Sequence, residues 1–509
     1  MALRFGAEPT IAFVAMAAVV LPTLCGAPLH ARDVDRWLEL RSRHFTVVSN
    51  TGEEETRRVA LEFERVRAML LRALTNARVD PRQPVVVLAV NDEDSLRELL
   101  PQYWERKGQR PVAAYWGGPH GHCIVLRMNA PEHERHRRVL HEYVHLLTHA
   151  NVPDLPAWLD EGLSEFWGTA VVQDDAVEVG RSAPHNLKVF QAQRSWIPLD
   201  ELLAMERAPD ARDKQRLSLF YAQSWALVHH LMLGGSSTNL ELAPSRDLGN
   251  LSQLKADLGQ YVRGGRFRAV RIELPQPEAE SPDRDEDLGL RVRALAPAQS
   301  LAIRAGCLVD GERPVAALPL LTRALATDPN EASVLETLGS FHFQQNNPLG
   351  AAQWFDRAIA TGSASHLAYF YRAILAGPVP DQVLGGQPVR ADEYLRRAID
   401  LDPGFAPAYV RLAALYTRQA DRLEAALPLM RRATELEPEN AAYWVEFGKL
   451  LVSLDRPGEA LEARQRALAS ARSTGSRRLV EAFLRNLDQG SLARQDSGRF
   501  SLDVVQGIW

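Results

Sequence analysis

The sequence reads His141-Glu-Tyr-Val-His145 within a run, from 131 to about 149, whose apolar spacing predicts a helix. At 3.6 residues per turn, His141 and His145 lie one turn apart on the same helix face, so both imidazoles can reach one metal ion. Glu142 projects beside them, where a carboxylate can hold and deprotonate a water at the metal. The stretch therefore predicts a metal-hydrolase helix with two histidine ligands and a glutamate as general base.

A catalytic zinc ion usually takes three protein ligands, and the next motif along the chain offers the third. That motif reads Trp158-Leu-Asp-Glu-Gly-Leu-Ser-Glu165, on a second short predicted helix. The pairing of the two motifs resembles the gluzincin metallopeptidases, particularly the peptidase-MA-like domains that often precede tetratricopeptide repeats. The resemblance covers roughly 33 to 267. It implies that Glu161 is the third zinc ligand and that Glu165 hydrogen-bonds the first histidine and fixes its tautomer.

A third segment, Tyr221-Ala-Gln-Ser224, lies on another predicted helix and resembles a Y-A-Q-S segment common in these domains. A phenol there can donate a hydrogen bond to the oxyanion of a tetrahedral intermediate. The alternative is a tyrosine that packs in a helix interface with its hydroxyl already satisfied. Tyr221 is therefore a candidate assisting residue in the predicted catalytic site.

Internal repetition dominates the second half of the chain. Helix-ending contexts recur near Pro329, Pro403 and Pro438, with a period near 34 residues. Small residues recur with large ones, as in Leu338-Gly339, and these positions resemble the tetratricopeptide consensus. In such repeats, stacked antiparallel helices bury a core that no single copy could bury. About five copies are expected, from near 297 to about 488, with a Gly- and Pro-rich loop at 377–387.

The fold class follows as α+β. Strands are expected at 44–48 and 84–90, a hairpin at 113–116 with 123–128, and further helices at 52–78 and 253–267. The predicted organisation is a signal peptide at 1–31, a zincin-like metallopeptidase domain with a small sheet and the active-site helix at 32–272, a linker at 273–290, an all-α tetratricopeptide solenoid at 291–490 and a tail at 491–509.

Length, composition and net charge narrow the classes of function that the protein can have. The chain has 509 residues, 46% of them hydrophobic, which predicts two or more domains. The net charge is -5 and no basic block is long enough to suggest a nucleic-acid footprint, which argues against nucleic-acid binding. An apolar run from Ile11 to Leu24 predicts a cleavable export signal and a periplasmic or secreted protein. The alternatives are lipid attachment at Cys25 and a retained anchor.

Other histidines and cysteines have simpler explanations than metal binding. His149 lies one turn beyond His145, but three histidines over two turns span roughly 12 Å, too far for one ion, so a helix-terminal role is expected. His120, His122 and Cys123 lie in a glycine-rich turn without a second ligand pair. Cys123 and Cys307 would be the only cysteines after signal cleavage, and buried thiols are expected rather than a bridge.

The predicted function is a zinc-dependent peptidase whose repeat array recruits a protein substrate or partner. One alternative is a protein-binding scaffold with a non-catalytic metallopeptidase-like domain. The presence of Glu142 argues against a non-catalytic domain, because a vestigial site has no chemical reason to keep a base that is not a ligand. Another alternative is metal-dependent hydrolysis of a non-peptide bond. One strand of the predicted hairpin is a candidate edge for pairing with an extended peptide.

Overall fold

The computed structural model describes residues 36–74, 79–81, 83–104, 111–118, 121–152, 155–173, 176–193, 195–210, 212–235, 240, 248–273, 288–376, 390–471 and 474–488. Five of the sequence predictions fall wholly or mostly outside these residues: the signal peptide at 1–31, most of the linker at 273–290, the loop at 377–387, the tail at 491–509 and His120. All described residues belong to the unit that begins at Arg36.

A six-stranded mixed sheet forms the centre of the α/β part, with the order β4-β5-β3-β2-β1-β9. The parallel pairs are β2 with β3 and β3 with β5, and the other neighbours are antiparallel. The strands predicted at 44–48 and 84–90 and the predicted hairpin are confirmed. The strands are β1 (Leu38–Arg41), β2 (Phe45–Ser49), β3 (Val85–Val90), β4 (Ala113–Gly117), β5 (His122–Arg127) and β9 (Arg291–Ala294).

Both faces of this sheet are buried, because successive residues of a strand point to opposite sides. Val47 and Val87 pack on one side with Phe63 and Tyr143 of two helices. Their neighbours, such as Val48, pack on the other side with the first helix of the repeat region. The sheet is therefore the middle layer between the predicted active-site helix and the repeats.

Eight helices of the α/β part are described, and the predicted active-site helix is α3. Pro131 is the N-cap residue of α3, and two acids, Glu132 and Glu134, lie in its first turn. The helices are α1 (Glu53–Ala73), α2 (Glu93–Leu99), α3 (Glu132–Asn151), α4 (Ala157–Trp167), α5 (Pro184–Ala192), α6 (Leu199–Ala204), α7 (Lys214–Leu233) and α8 (Leu251–Gly264). Among the described residues, no helix combines the length and hydropathy of a membrane span.

A second, small antiparallel sheet lies beside these helices in the order β6-β7-β8. Its strands are β6 (Val171–Val172), β7 (Ala176–Val179) and β8 (Val270–Glu273). The sequence did not predict these short strands.

The repeat region is a stack of antiparallel helices, as the periodicity predicts. Its close packing depends on small residues: a Cβ atom added at Gly339 would lie 2.5 Å from Cε1 of Phe355 on the neighbouring helix. The described helices are α9 (Pro297–Asp310), α10 (Pro314–Thr327), α11 (Ala332–Gln344), α12 (Pro348–Ala360), α13 (His366–Leu375), α14 (Ala391–Leu401), α15 (Ala406–Tyr416), α16 (Ala426–Leu436), α17 (Ala441–Ser453), α18 (Pro457–Ser470) and α19 (Thr474–Asp488).

The repeats and the sheet share one core. Strand β9, just before α9, pairs with β1, and Arg293 forms an ion pair of 2.6 Å with the buried Glu39. The Arg304 guanidinium of α9 lies 4.4 Å from the Trp37 ring centroid and 3.1 Å from a carboxylate oxygen of Glu98. The array is therefore held in a fixed position on the sheet.

Two thiols lie in the same shared core. Cys123 of β5 and Cys307 of α9 are both buried, and both are free cysteines. The indole N–H of Trp116 donates a hydrogen bond to the backbone carbonyl of Cys307. Burial raises the pKa of the Cys123 thiol well above its usual value.

Candidate metal centre

Helices α3 and α4 bring the predicted site residues together. On α3, His141, Glu142 and His145 are all buried. Helix α4 packs against α3 and still more extensively against α7. Gly162 permits this approach, because a Cβ atom there would lie 2.6 Å from the backbone oxygen of Ser224 on α7. The glycine of the second motif thus lets α4 sit where its Glu161 faces the two histidines.

The three predicted ligands converge. The Nε2 atoms of His141 and His145 are 3.2 Å apart, and Oε2 of Glu161 lies 3.6 Å from the first and 3.4 Å from the second. Two donors that each hold an ion at about 2.1 Å in a tetrahedral site are about 3.4 Å apart. The spacing of all three atoms therefore fits a single zinc ion.

The polar atoms of this cluster are also arranged as a cation requires. Oε2 of Glu161 is buried and has no hydrogen-bond partner among the described residues. The Nδ1 atoms of both histidines face carboxylates, so their protons are expected there and the Nε2 lone pairs point inward. Two lone pairs and a carboxylate oxygen that face one another repel unless a cation lies between them.

Glu165 takes the position that the resemblance implies. Its Oε1 lies 3.4 Å from Nδ1 of His141, and its Oε2 lies 3.0 Å from Nε2 of His185. Burial alone would raise the pKa of Glu165. The hydrogen bond from His185 and the charges of His141, Arg138 and Arg137 outweigh burial and hold the pKa well below its usual range. Glu165 is therefore a charged acceptor that can orient the His141 ring.

Asp160 orients the second histidine, a role that the sequence did not reveal. Its Oδ2 lies 3.1 Å from Nδ1 of His145, and the Thr148 hydroxyl donates a bond of 2.6 Å to its Oδ1. Burial alone would raise the pKa of Asp160, but the bonds from His145 and His149 lower it strongly. The sequence signal for this role was the position of Asp160 directly before Glu161 in the second motif.

His149 is not part of the ligand triad. Its Nε2 lies 3.1 Å from Oδ2 of Asp160, and its side chain is 49% exposed. His145, His149 and Asp160 form a second close group of metal-binding side chains. His149 lies in the last turn of α3, as expected, and the partner of its Nε2 is a carboxylate of α4.

Glu142 is buried beside the three converging side chains, and the backbone N–H of Tyr115 on β4 faces its carboxyl group. Burial raises the pKa of Glu142, with the charge of Glu161 acting in the same direction, although His145 and Arg138 oppose the shift. A carboxylate with a raised pKa is a better proton acceptor near neutral pH. Its position and its environment therefore both suit a general base.

Tyr221 reaches the triad from α7. Its hydroxyl donates a hydrogen bond of 3.4 Å to Oε1 of Glu161. Burial raises the pKa of the phenol above its usual value, and the charge of Glu161 adds to the shift, so the group stays protonated as a donor. The structure thus places the predicted phenol in contact with Glu161, one of the three predicted ligands.

Two further side chains that the sequence did not assign to the site lie next to it. The Tyr115 ring is nearly parallel to the His145 ring, with centroids 6.5 Å apart, and its hydroxyl lies 3.0 Å from Nδ1 of His122. Burial lowers the pKa of His122 to about 4, and the charge of His149 adds to the shift. Because Cys123 packs in the core on the other face, His122 and Cys123 do not share a metal site.

Comparison with known protein families supports the predicted tetratricopeptide repeats. The tetratricopeptide repeat family model matches residues 308–366 and, in a second form, 406–440. None of the curated proteins matches the chain significantly.

Several solved structures are similar to about a third of the chain. They include MamA (19% identity, 32% of this chain and 93% of that chain, TM-score 0.28). YrrB, described as a TPR protein with an unusual peptide-binding site, is 19% identical over 35% of this chain and 89% of its own, with a TM-score of 0.29. A thermophilic TPR protein of Thermus thermophilus is 21% identical over 37% of this chain and 98% of its own, with a TM-score of 0.29. With the family matches and the stacked helices, the C-terminal region carries tetratricopeptide repeats.

Proposed function

We propose that the chain is a zinc-dependent peptidase with a zincin-like N-terminal domain, and that its repeats recruit a protein substrate or partner. The observation that carries this proposal is the convergence of His141, His145 and Glu161 around a buried carboxylate oxygen without a hydrogen-bond partner among the described residues. When bound, zinc supplies Lewis acidity and makes an attacking water more acidic. The remaining chemistry belongs to the side chains around it.

Glu142 is proposed to accept a proton from the attacking water and to deliver it to the leaving amine. Its burial raises its pKa, which favours both halves of this transfer near neutral pH. The backbone N–H of Tyr115 also faces this carboxyl group. Because Glu142 is not one of the three converging ligands, its removal should leave metal binding intact.

Tyr221 is proposed to donate a hydrogen bond to the oxyanion that forms on the scissile carbonyl. In the structure this hydroxyl already faces the ligand cluster through Glu161. A preorganised donor of this kind typically contributes about 10²–10³ in kcat. The raised pKa keeps the phenol protonated throughout the pH range in which a peptidase acts.

Strand β4 supports a peptide substrate in particular. It is the outermost strand at its end of the described six-stranded sheet. The N–H of Tyr115 points away from β5, toward Glu142, so the outer edge of β4 faces the site. An extended peptide can pair with such an edge through its backbone, which would hold one of its amides beside the general base.

The shared core gives the repeats a way to serve this site. Because β9 pairs with β1 and α9 packs on the sheet, a protein bound by the repeats would sit at a fixed distance from the metal centre. We propose export from the cytoplasm as the setting, on the basis of the N-terminal apolar run.

A second candidate function is a protein-binding scaffold in which the metal domain does not catalyse. It is favoured by the match of the repeats to a family of protein-interaction modules. A third candidate, hydrolysis of a non-peptide bond, uses the same site residues. These candidates differ in whether the chain cleaves peptides and in whether cleavage depends on Glu142.

The test is hydrolysis of an unstructured protein, such as denatured casein, by wild type and by Glu142→Gln and Tyr221→Phe variants. We expect Glu142→Gln to abolish cleavage and Tyr221→Phe to lower kcat by about 10²-fold or more, with zinc content unchanged in both. Equal cleavage by wild type and Glu142→Gln would refute the proposed mechanism. Full zinc loading without cleavage would favour the scaffold.

A further inference from the structure

We propose that a cavity between α7, α8 and the segment before α6 binds an organic anion with an apolar, aromatic-sized body. The cavity has a volume of about 370 Å³. That volume is at the lower end of the range typical of small-molecule sites, about 300–1,000 Å³.

The walls of the cavity are apolar on most sides. Trp196 and Ile197 line it from the segment that leads into α6, Leu199 lines it from the first turn of α6, and Leu258 lines it from α8. Ile197, Leu199 and Leu258 are buried, whereas the Trp196 ring is only partly covered and packs on Phe190 with centroids 4.7 Å apart. Such a lining favours a ligand with a flat or branched hydrocarbon body.

The polar side chain in the cavity wall, Gln223, already has hydrogen-bond partners. The side-chain amide of Gln223 accepts a hydrogen bond of 2.8 Å from the backbone N–H of Ile197 and donates one of 3.0 Å to its carbonyl. It therefore offers a ligand little hydrogen bonding and acts as a rigid wall. Gln223 and Tyr221 are two residues apart on α7 and point to different sides of the helix, so the cavity is separate from the metal centre.

Two cations give the cavity its charge preference. Lys255 and Arg263 both line it, both are exposed, and neither forms an ion pair among the described residues. No acidic side chain among the described residues lines the cavity. A carboxylate at the mouth would gain charge-assisted contacts with either cation while the apolar body is removed from water.

Gly259 keeps the space open. It is a buried glycine in the interior of α8, where glycine is the least favourable residue after proline. A Cβ atom there would meet no backbone, and its nearest neighbour would be the tip of Arg263, with Nη1 at 3.2 Å. The packing of α8 therefore does not require a glycine at this position. A larger side chain here would fill the cavity.

The test uses the full mature chain, with naphthoate and its neutral amide, naphthamide, as probes in calorimetric titrations. We expect naphthoate to bind one site with a dissociation constant of about 1 mM or below, and naphthamide to bind at least about tenfold more weakly. Equal affinities for the two probes, or no binding of naphthoate at that concentration, would overturn the proposal.

Three variants locate the binding. Lys255→Met with Arg263→Met should weaken naphthoate binding about tenfold or more, whereas the matched pair Lys188→Met with Arg266→Met, which lies outside the cavity, should not. Gly259→Leu should abolish binding of both probes while it retains or raises thermal stability, since leucine favours the helix. Unchanged binding to a folded Gly259→Leu variant would show that the anion binds elsewhere and refute the assignment.

Discussion

Oδ2 of Asp160 lies 3.1 Å from Nδ1 of His145 and also 3.1 Å from Nε2 of His149. One carboxylate on α4 therefore connects His145, a proposed metal ligand, to a half-exposed histidine one turn further along α3. The adjacent Glu161 faces the same cluster, so α4 carries both a proposed ligand and the carboxylate that contacts another proposed ligand. A small movement of α4 relative to α3 should therefore weaken metal binding, and not only slow catalysis.

Replacing Asp160 with alanine should weaken zinc binding by about 10–100-fold, because His145 would lose the acceptor that fixes its tautomer. The measurement is zinc affinity by competition with a chelator of known affinity. Asp200→Ala removes an exposed acid from the start of α6 and serves as the control. If both variants bind zinc as tightly as wild type does, Asp160 has no orienting role.

Gly162→Ala should destabilise the fold and weaken zinc binding together. The added methyl group would lie 2.6 Å from the backbone oxygen of Ser224 and 2.6 Å from Cγ2 of Val228, so α4 and α7 must separate. Overpacking of this kind typically costs about 1–3 kcal/mol in the free energy of unfolding. Denaturant unfolding and zinc content measure the two effects.

Gly264→Ala is the matched control, since a Cβ atom at Gly264 would meet nothing within 4 Å. We expect that variant to keep wild-type stability and wild-type zinc content. A Gly162→Ala protein with both properties unchanged would show that the close contact of α4 with α7 is not needed to position Glu161.

Asp310 should make the protein less stable as pH rises. Burial raises the pKa of this carboxyl to about 7 in the folded chain, whereas an aspartate in an unfolded chain titrates near 3.9. Between these values the folded state binds the extra proton, so the free energy of unfolding falls with rising pH and levels off above about 7. The loss attributable to Asp310 is at most about 4 kcal/mol.

Asp310→Asn removes this titration. The difference in unfolding free energy between the variant and wild type should shift in favour of the variant as pH rises from about 4 to 7. Other titrating groups cancel in that difference. Urea unfolding at a series of pH values provides the measurement, and a difference that stays constant over this range would mean that Asp310 titrates normally.

The convergence of the candidate site residues could largely be predicted because it depends on local spacing. His141, Glu142 and His145 are fixed relative to one another by helix geometry, whatever the rest of the fold does. Glu161 and Glu165 could be assigned because a second local motif resembles that of the gluzincins. Asp160 was missed because its function arises only when α4 docks on α3, a contact that no periodicity within α4 encodes.

The fold was predictable to a similar degree and for the same reason. The long apolar strands and the repeats carry strong local patterns, whereas β9 is a four-residue strand, Arg291-Val-Arg-Ala294, whose partner β1 lies some 250 positions earlier. Short charged strands give a weak signal, and charge is typical of sheet edges. Helix α8 ends earlier than expected because Gly265 adopts a left-handed conformation, with φ of 63°.

The most direct test of the central claim is the zinc content of the purified chain by elemental analysis, compared for wild type, Glu161→Gln and Glu142→Gln. The proposed site predicts about one zinc ion per wild-type chain, retention of that ion in Glu142→Gln and its loss in Glu161→Gln. A wild-type chain without zinc, or a Glu161→Gln chain with as much zinc as wild type, would contradict the assignment of His141, His145 and Glu161 as the metal ligands.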